Sequence, residues 1–394
     1  MISEREALQR VLANVSPLGI QTTRLEQALD AFAGSEIVAT IPIPGFDQSS
    51  MDGYALRSKD VTMDRLLVTG EQPAGRDLGL VCEAGSCIRI FTGAPIPHGA
   101  DAVIMQEDVM RDGNGIHCLD RVEQGENLRP MGADVCLGQI ILRRGERLTP
   151  ARLSLLASQG LKEIDTVQKP CVAVLTTGDE LVPPGSGPLA AGQIYNSNAI
   201  MIASLLQRLG ISHIRTAHCA DDLEETMRHL DHLSNSHDAV ILSGGVSVGD
   251  HDQVKPALKK LGIEPELWRV KVKPGKPFLF AKGQRAHVFG LPGNPVSSFV
   301  TFSLFVRPAL LRLMGASDSE IEPSMLLAPL AETLHNEGDR PHYIRGTLVK
   351  GCFKSSGMQQ SHALHALARA DALLRMEAGE TIEAGSYGKV WQLH

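Results

Sequence analysis

The run AVILSGGVSVGD (residues 239–250), followed by WRVKVKPGKPFLF (268–280) and HVFGLPGNP (287–295), decides the fold. Each is an apolar segment that delivers the chain into a glycine- or proline-rich turn. Such segments read as parallel strands whose C-terminal ends converge on one crevice, the place where doubly wound sheets bind ligands. The turn after the first run holds Ser243, Gly244, Gly245, Ser247 and Gly249 and no bulky polar group. It lets backbone N–H groups approach a phosphate, with a helix N-terminus behind them. Asp250 can cap that helix and Gly262 can end it. The next strand ends in Lys273 and Lys276, separated by Pro274 and Gly275. A fixed, non-helical turn there holds two ammonium groups together and reads as an oxyanion site. A solvated lysine turn is the plainer reading of the same residues.

Outward from this stretch, residues 170–315 alternate between strand and helix. The strands are CVAVLTT, SHIRTAHC, DAVILSG, LWRVKV and HVFGL, and the helices begin near Ser197, Asp221, His251 and Pro295. This alternation predicts a parallel, three-layer α/β domain. Pro308 inside the last helix predicts a kink. TTGDELVPPG (176–185) faces the same crevice. Glu180, Asp221 and Asp252 each follow a strand end, and three carboxylates there suit Mg²⁺, which takes few protein carboxylates plus phosphate oxygens. Asp221 also forms a capping box with Glu224, and Asp250 competes with Asp252 as cap and ligand. IYNSN (194–198) sets Asn196 and Asn198 at a helix start.

Toward the N-terminus, residues 3–15 read as an amphipathic helix with Ser3 and Glu6 as its capping box. A second helix is expected after Thr23, paired with Glu26 and ending near Gly34. Pro42 and Pro44 make residues 41–57 an extended crossover. From about 46 to 134, short alternating runs broken by glycine predict a β-rich insert. Within it FDQSSMDGYA (46–55) sets carboxylates and hydroxyls around Gly53, although Asp47, Ser49 and Asp52 are also ordinary turn residues. Residues 141–160 return to helix, with Thr149 as cap, Pro150 at its first position and Gly160 as its stop. Past residue 320, YIRGTLV and KVWQLH predict a small β-domain. Taken alone, Arg345 and Ser361 in that domain read as surface residues.

Composition narrows the function. At 394 residues the chain exceeds one core, and the net charge of −7 without a basic run argues against a nucleic-acid partner. No window reads as a membrane span and MISEREALQRVL is not a signal peptide, so a cytoplasmic protein is expected. The seven cysteines form no CxxC and the fourteen histidines no HExxH spacing, which argues against zinc and redox chemistry.

Eight motifs appear in order: FDQSSMDGYA, FTGAPIPHGADAVIMQED, NLRPMGAD, TTGDEL, IYNSN, SGGVSVGDHD, VKPGKPF and GLPGNPVS. Together they resemble the bacterial molybdopterin molybdenumtransferase family, MoeA, related to the E domains of gephyrin and its plant counterpart. The resemblance is strong over residues 5–315 and weaker beyond. It implies a multidomain α/β fold. Residues 1–20 and 170–320 would form a three-layer α/β molybdopterin-binding domain, and 21–45 with 136–169 an elongated linker domain. Residues 46–135 would be a β-rich insert reaching the partner subunit of a homodimer, and 321–394 a C-terminal β-domain.

The reaction implied is insertion of molybdate into adenylylated molybdopterin with hydrolysis of the adenylate, releasing AMP and forming molybdenum cofactor, with Mg²⁺. By position, Asp52 and Thr92 match functional residues of the insert, Arg129 and Asp134 match polar residues of the same region, and Glu180, Asp221 and Asp252 match the acidic residues around phosphates and Mg²⁺. The 243–249 turn, Asn196, Asn198, Pro292 and Pro295 would contact the pterin substrate. Lys273, Lys276, Arg345 and Ser361 resemble the molybdate-binding set. Implied partners are a molybdopterin adenylyltransferase and downstream cofactor-handling or apo-molybdoenzyme proteins. The chain departs from the family pattern at Ala133, where an acidic residue is common, at Ser35 and at Arg269. A molybdopterin adenylyltransferase, or a non-catalytic scaffold of the same fold, is the alternative reading.

Overall fold

In the computed structural model, which describes residues 1–246 and 253–393, the apolar runs of the central region lie side by side in a seven-stranded sheet. Its order is Ile2–Ser3, Pro265–Lys271, Pro277–Lys282, His287–Leu291, Ala239–Ser243, Val172–Thr177, Ile214–Cys219. Neighbours pair in parallel except Pro277–Lys282, which is antiparallel to both its neighbours. The expected all-parallel sheet is therefore mixed. The tight Lys273–Lys276 turn sends the chain straight back, with no room for the crossover helix that a parallel return needs. The C-terminal ends of Pro265–Lys271, Ala239–Ser243 and His287–Leu291 still share one edge.

Period-two alternation divides these strands between two cores. Val172, Val174, Ile241, Phe280 and Phe289 pack on one face with helices Glu4–Ala13 and Ser197–Arg208. Ala173, Leu175, Val240, Leu242 and Val288 pack on the other with Leu223–Ser236 and Val254–Lys260. Helix, sheet and helix make the three layers. Each fully buried Leu, Val or Phe contributes about 1.5–3 kcal/mol of transfer free energy, so both faces hold firmly.

The helix after Pro295 runs as Pro295–Thr301, a wide π-type turn at Phe302–Val306, then Arg307–Leu313. Pro308 has no N–H for the regular ladder, and the wide turn just before it absorbs the break. Contrary to the sequence reading, this helix is long and apolar enough to cross a membrane. It is 78% buried inside the protein, as the core helix of a three-layer domain is.

The Ser3 cap is present: its hydroxyl accepts from Glu6 N–H at 3.1 Å. The helix expected after Thr23 is absent. Ile20–Arg24 is instead a strand paired antiparallel with Glu163–Val167, followed by a short 3₁₀ turn at Leu25–Gln27. Thr23 and Thr166 hydroxyls pair across that ribbon at 2.6 Å, so a long-range partner takes the hydroxyl that read as a helix cap. Residues 141–160 likewise begin with strand Ile140–Leu142 before helix Pro150–Ser158.

The chain divides into two compact units. One comprises Met1–Ser35, Arg144–Ser154 and Leu161–His394. It holds the three-layer sheet and an antiparallel five-stranded sheet of Met325–Pro329, Tyr387–Gln392, Ala372–Met376, His342–Val349 and Cys352–Ser355. The second, Glu36–Arg143 with Leu155–Gly160, is built on a six-stranded sheet. Tyr54, Leu56, Leu66, Ile104 and Ile116 form its core.

Candidate functional site

A cavity of about 980 Å³ opens at the shared strand edge. Glu180, Asn196, Asn198, Asp221, Ser243, Gly244, Gly245, Lys273, Lys276, Pro292, Pro295 and Ser361, all singled out from the sequence, line it together. Ser247, Gly249 and Asp252 lie outside the described residues.

Local packing explains why these residues occupy these positions. Gly244 has φ +97°, and a Cβ there would sit 2.7 Å from the Thr177 carbonyl oxygen. Only glycine lets the turn close against the neighbouring strand end. Asn198 donates from Nδ2 to the Ser243 hydroxyl (2.9 Å) and the Gly293 carbonyl (2.7 Å). A carbonyl can only accept, so the amide orientation is fixed. Asn198 Oδ1 is then a buried acceptor without a partner among the described residues. Asn196 spends its oxygen capping helix Ser197–Arg208 at Ala199 N–H (3.2 Å) and its amide on the Thr176 hydroxyl (2.8 Å).

The two carboxylates occupy the same crevice. Glu180 folds back over its own turn, so that a Cβ on Gly178 would meet its Oε2 at 2.5 Å. Asp221 does not cap the helix that follows it. Asp222 does, accepting from Glu225 N–H at 2.8 Å, one residue later than the sequence pattern suggests. The Asp221 N–H donates to Asp179 Oδ1 at 3.1 Å. Among the described residues no group of three His, Cys, Asp or Glu side chains is placed to hold a metal ion. Two carboxylates nevertheless fit Mg²⁺, which keeps several waters and takes its remaining oxygens from phosphate.

The cationic turn is pressed onto the helix after Pro295. Gly275 has φ +112°, and a Cβ would lie 2.5 Å from Thr301 Cγ2. Lys273 is pinned to the C-terminal sheet through Lys273 N–H to the Pro341 carbonyl and Tyr343 N–H to the Lys273 carbonyl, both 2.8 Å.

Arg345 is not a surface residue. Its relative exposure is 0%. Gln359 pairs with both its backbone groups (2.9 and 3.0 Å), and Arg345 NH2 donates to the Met358 carbonyl at 2.6 Å. Arg345 Nε and NH1 have no partner among the described residues. Burial pushes its pKa down to about 10, so it remains a cation at neutral pH. Ser361, half-buried, accepts from Asn294 Nδ2 at 3.1 Å, and its carbonyl accepts from Val296 N–H. Nearby His342 is pushed down to about 4, first by burial and then by Lys273, Arg345 and Arg340. It is a neutral imidazole at physiological pH.

In the second unit Asp52 Oδ1 accepts from both the N–H (2.7 Å) and the hydroxyl (2.8 Å) of Thr92. These two bonds hold the Asp52 carboxyl below its usual range, with Arg89 adding a smaller contribution. Arg129 is exposed on strand Leu128–Arg129, opposite Gln48. Asp134 is exposed, and its backbone N–H donates to the Ile43 carbonyl at 2.9 Å.

Three stretches of the chain match known regions. Residues 2–160 match the MoeA N-terminal region (domains I and II), 173–312 a probable molybdopterin binding domain, and 327–393 the MoeA C-terminal region (domain IV). A molybdopterin molybdenumtransferase of Haemophilus influenzae is 36% identical over 97% of this chain and 98% of its own length. The chain belongs to the MoeA family. Molybdopterin molybdenumtransferase 2 of Mycobacterium tuberculosis is 34% identical over 94% of this chain and 95% of its own length. The molybdopterin biosynthesis MoeA protein of Pyrococcus horikoshii superposes with a TM-score of 0.87 at 28% identity, covering 100% of both chains.

Within this MoeA fold several crevice residues escaped the sequence reading. Arg340, Gln359, Gln360 and Asn294 all line the cavity. Gly338-Asp339-Arg340 looks like any polar turn, and glutamines carry no motif. Only the pairing of strand His342–Val349 beside Lys273 shows where they lie.

Proposed function

We propose that this MoeA-family chain is a molybdopterin molybdenumtransferase acting in the unit-one crevice, with molybdate and adenylylated molybdopterin as substrates. One observation carries the reading. A single cavity joins a glycine turn fit for phosphate, a carboxylate pair at Glu180 and Asp221, and the cations Lys273 and Lys276, with Arg345 buried close by. Molybdate is a tetrahedral dianion; Lys273 and Lys276 supply cationic donors and Ser361 a hydroxyl, with the buried Arg345 adding positive charge nearby. When an enedithiol takes molybdate, two Mo–S bonds form and one oxo group leaves as water with the two thiol protons. Preorganised cations stabilise the charge on the oxygens through that exchange.

Glu180 and Asp221, with Asp252, would hold Mg²⁺. The ion, when bound, neutralises phosphate charge as the adenylate is hydrolysed. Asn198 Oδ1 offers an acceptor to an N–H of the pterin or adenine. Asp52, kept ionised by Thr92, is suited to orienting a water rather than to storing a proton. The protein would work in the cytoplasm as a homodimer, the insert of one subunit reaching the crevice of its partner. It would take substrate from a molybdopterin adenylyltransferase and pass product to cofactor-handling or apo-molybdoenzyme proteins.

Replacing Lys273 and Lys276 together by methionine tests the reading. Molybdate use should fall far more than pterin binding, and raised molybdate should partly restore it. Equal loss of both without rescue would assign the turn to phosphate and overturn the molybdate assignment.

A further inference from the structure

The cationic wall of the crevice has a member beyond Lys273 and Lys276. The Arg340 carbonyl accepts from Asn336 Nδ2 at 2.9 Å, and Asn336 is itself buried. The residues just after it, Pro341 and Tyr343, bracket Lys273 with two 2.8 Å backbone bonds. Arg340 therefore cannot drift from the lysine turn. Its side chain lines the cavity and is three-quarters buried.

The guanidinium is poorly occupied within the chain. Nε donates to Asp339 Oδ1 at 3.1 Å, but Asp339 is 81% exposed and a weak partner in solvent. NH1 reaches the Val272 carbonyl only at 3.4 Å. A guanidinium has five N–H donors in a planar fork. Most of these have no partner among the described residues. Lys273, Lys276 and Arg340 line the crevice, with Arg345 close by, against only two described lining carboxylates, Glu180 and Asp221. A partly desolvated group of cations in excess calls for an anion, and a planar fork matches two oxygens of a tetrahedral one.

We propose that Arg340 is an oxyanion-binding residue of this crevice, gripping with the lysine turn one tetrahedral dianion, molybdate or a phosphate of the pterin substrate. This deepens the functional reading above and rests on it.

The test uses the full chain with Arg340→Met and Arg340→Lys. Molybdate and inorganic phosphate are titrated calorimetrically, and KM is measured for molybdate and for the adenylylated pterin. The methionine variant should bind molybdate about 10- to 100-fold more weakly, the range for a lost charge-assisted hydrogen bond. Its molybdate KM should rise in parallel while the melting temperature holds. Lysine should recover part of the loss, since it keeps the charge but not the fork. If phosphate and pterin affinity fall instead, with molybdate unmoved, the proposal stands with phosphate as the anion. Unchanged binding of all three ligands overturns it. So does uniform loss with a lowered melting temperature and no gain from lysine. A wild-type chain that binds anions through Arg340 but releases no AMP overturns the transferase reading alone.

Discussion

Replacing Gly275 by alanine probes the geometry of the lysine turn most sharply. At φ +112° an alanine backbone is strained, at a cost of about 1–3 kcal/mol. Its Cβ would also stand 2.5 Å from Thr301 Cγ2, and overpacking of this kind costs about 1–3 kcal/mol. The combined strain of about 2–6 kcal/mol rivals a whole domain's stability of about 5–15 kcal/mol, so the turn will move and carry both lysines with it. Urea denaturation followed by tryptophan emission reads the cost, since Trp268 and Trp391 both lie in the unit that contains the turn. We expect a loss of at least about 2 kcal/mol from these strain terms, and a molybdate KM raised more than the pterin KM. Thr301→Ser supplies the control. It removes Cγ2 but keeps the hydroxyl bonds to the Ser297 (2.7 Å) and Ser298 (3.2 Å) carbonyls. The double variant should recover about 1–3 kcal/mol, the clash share, and leave the backbone share. A Gly275→Ala protein within about 0.5 kcal/mol of wild type, with unchanged molybdate KM, refutes the reasoning, because that is the range of an inconsequential surface change.

Two further predictions concern pH. Thr92→Ala removes the hydroxyl bond that helps hold the Asp52 carboxyl low, so its pKa should rise toward the ordinary value and the acid limb of activity should move to higher pH; an NMR titration of Asp52 and a pH–rate profile check this. His342 is pushed down to about 4 from 6.5, so between these values the unfolded chain binds a proton that the folded chain does not. Stability should therefore rise with pH across that window, by up to about 3 kcal/mol, and His342→Gln should flatten the curve in denaturation measured from pH 4 to 7.

The parts of the chain legible in sequence are those set by local chemistry. Ser3 and Glu6 announce a cap because both partners lie within one turn. The runs ending at Thr177, Ser243 and Leu291 announce buried strands, and their glycine turns announce a crevice at one edge. What failed depended on distant partners. Ile20–Arg24 becomes a strand because Glu163–Val167 lies beside it, which nothing near Thr23 reveals. Arg345 is buried because Gln359 and the Met358 carbonyl receive it, and Arg340 reaches the crevice because the chain after it pairs with Lys273. Asp221 and Asp222 are adjacent carboxylates with equal claim to the cap, and only the backbone angle at Asp222 decides between them.

The most direct measurement is AMP release by the purified protein supplied with adenylylated molybdopterin and Mg²⁺, with and without molybdate. The product is then offered to an apo-molybdoenzyme. A molybdenumtransferase releases AMP in a molybdate-dependent manner and its product restores the apo-enzyme. Tight pterin binding without release, or adenylylation of free molybdopterin by ATP, would contradict the account.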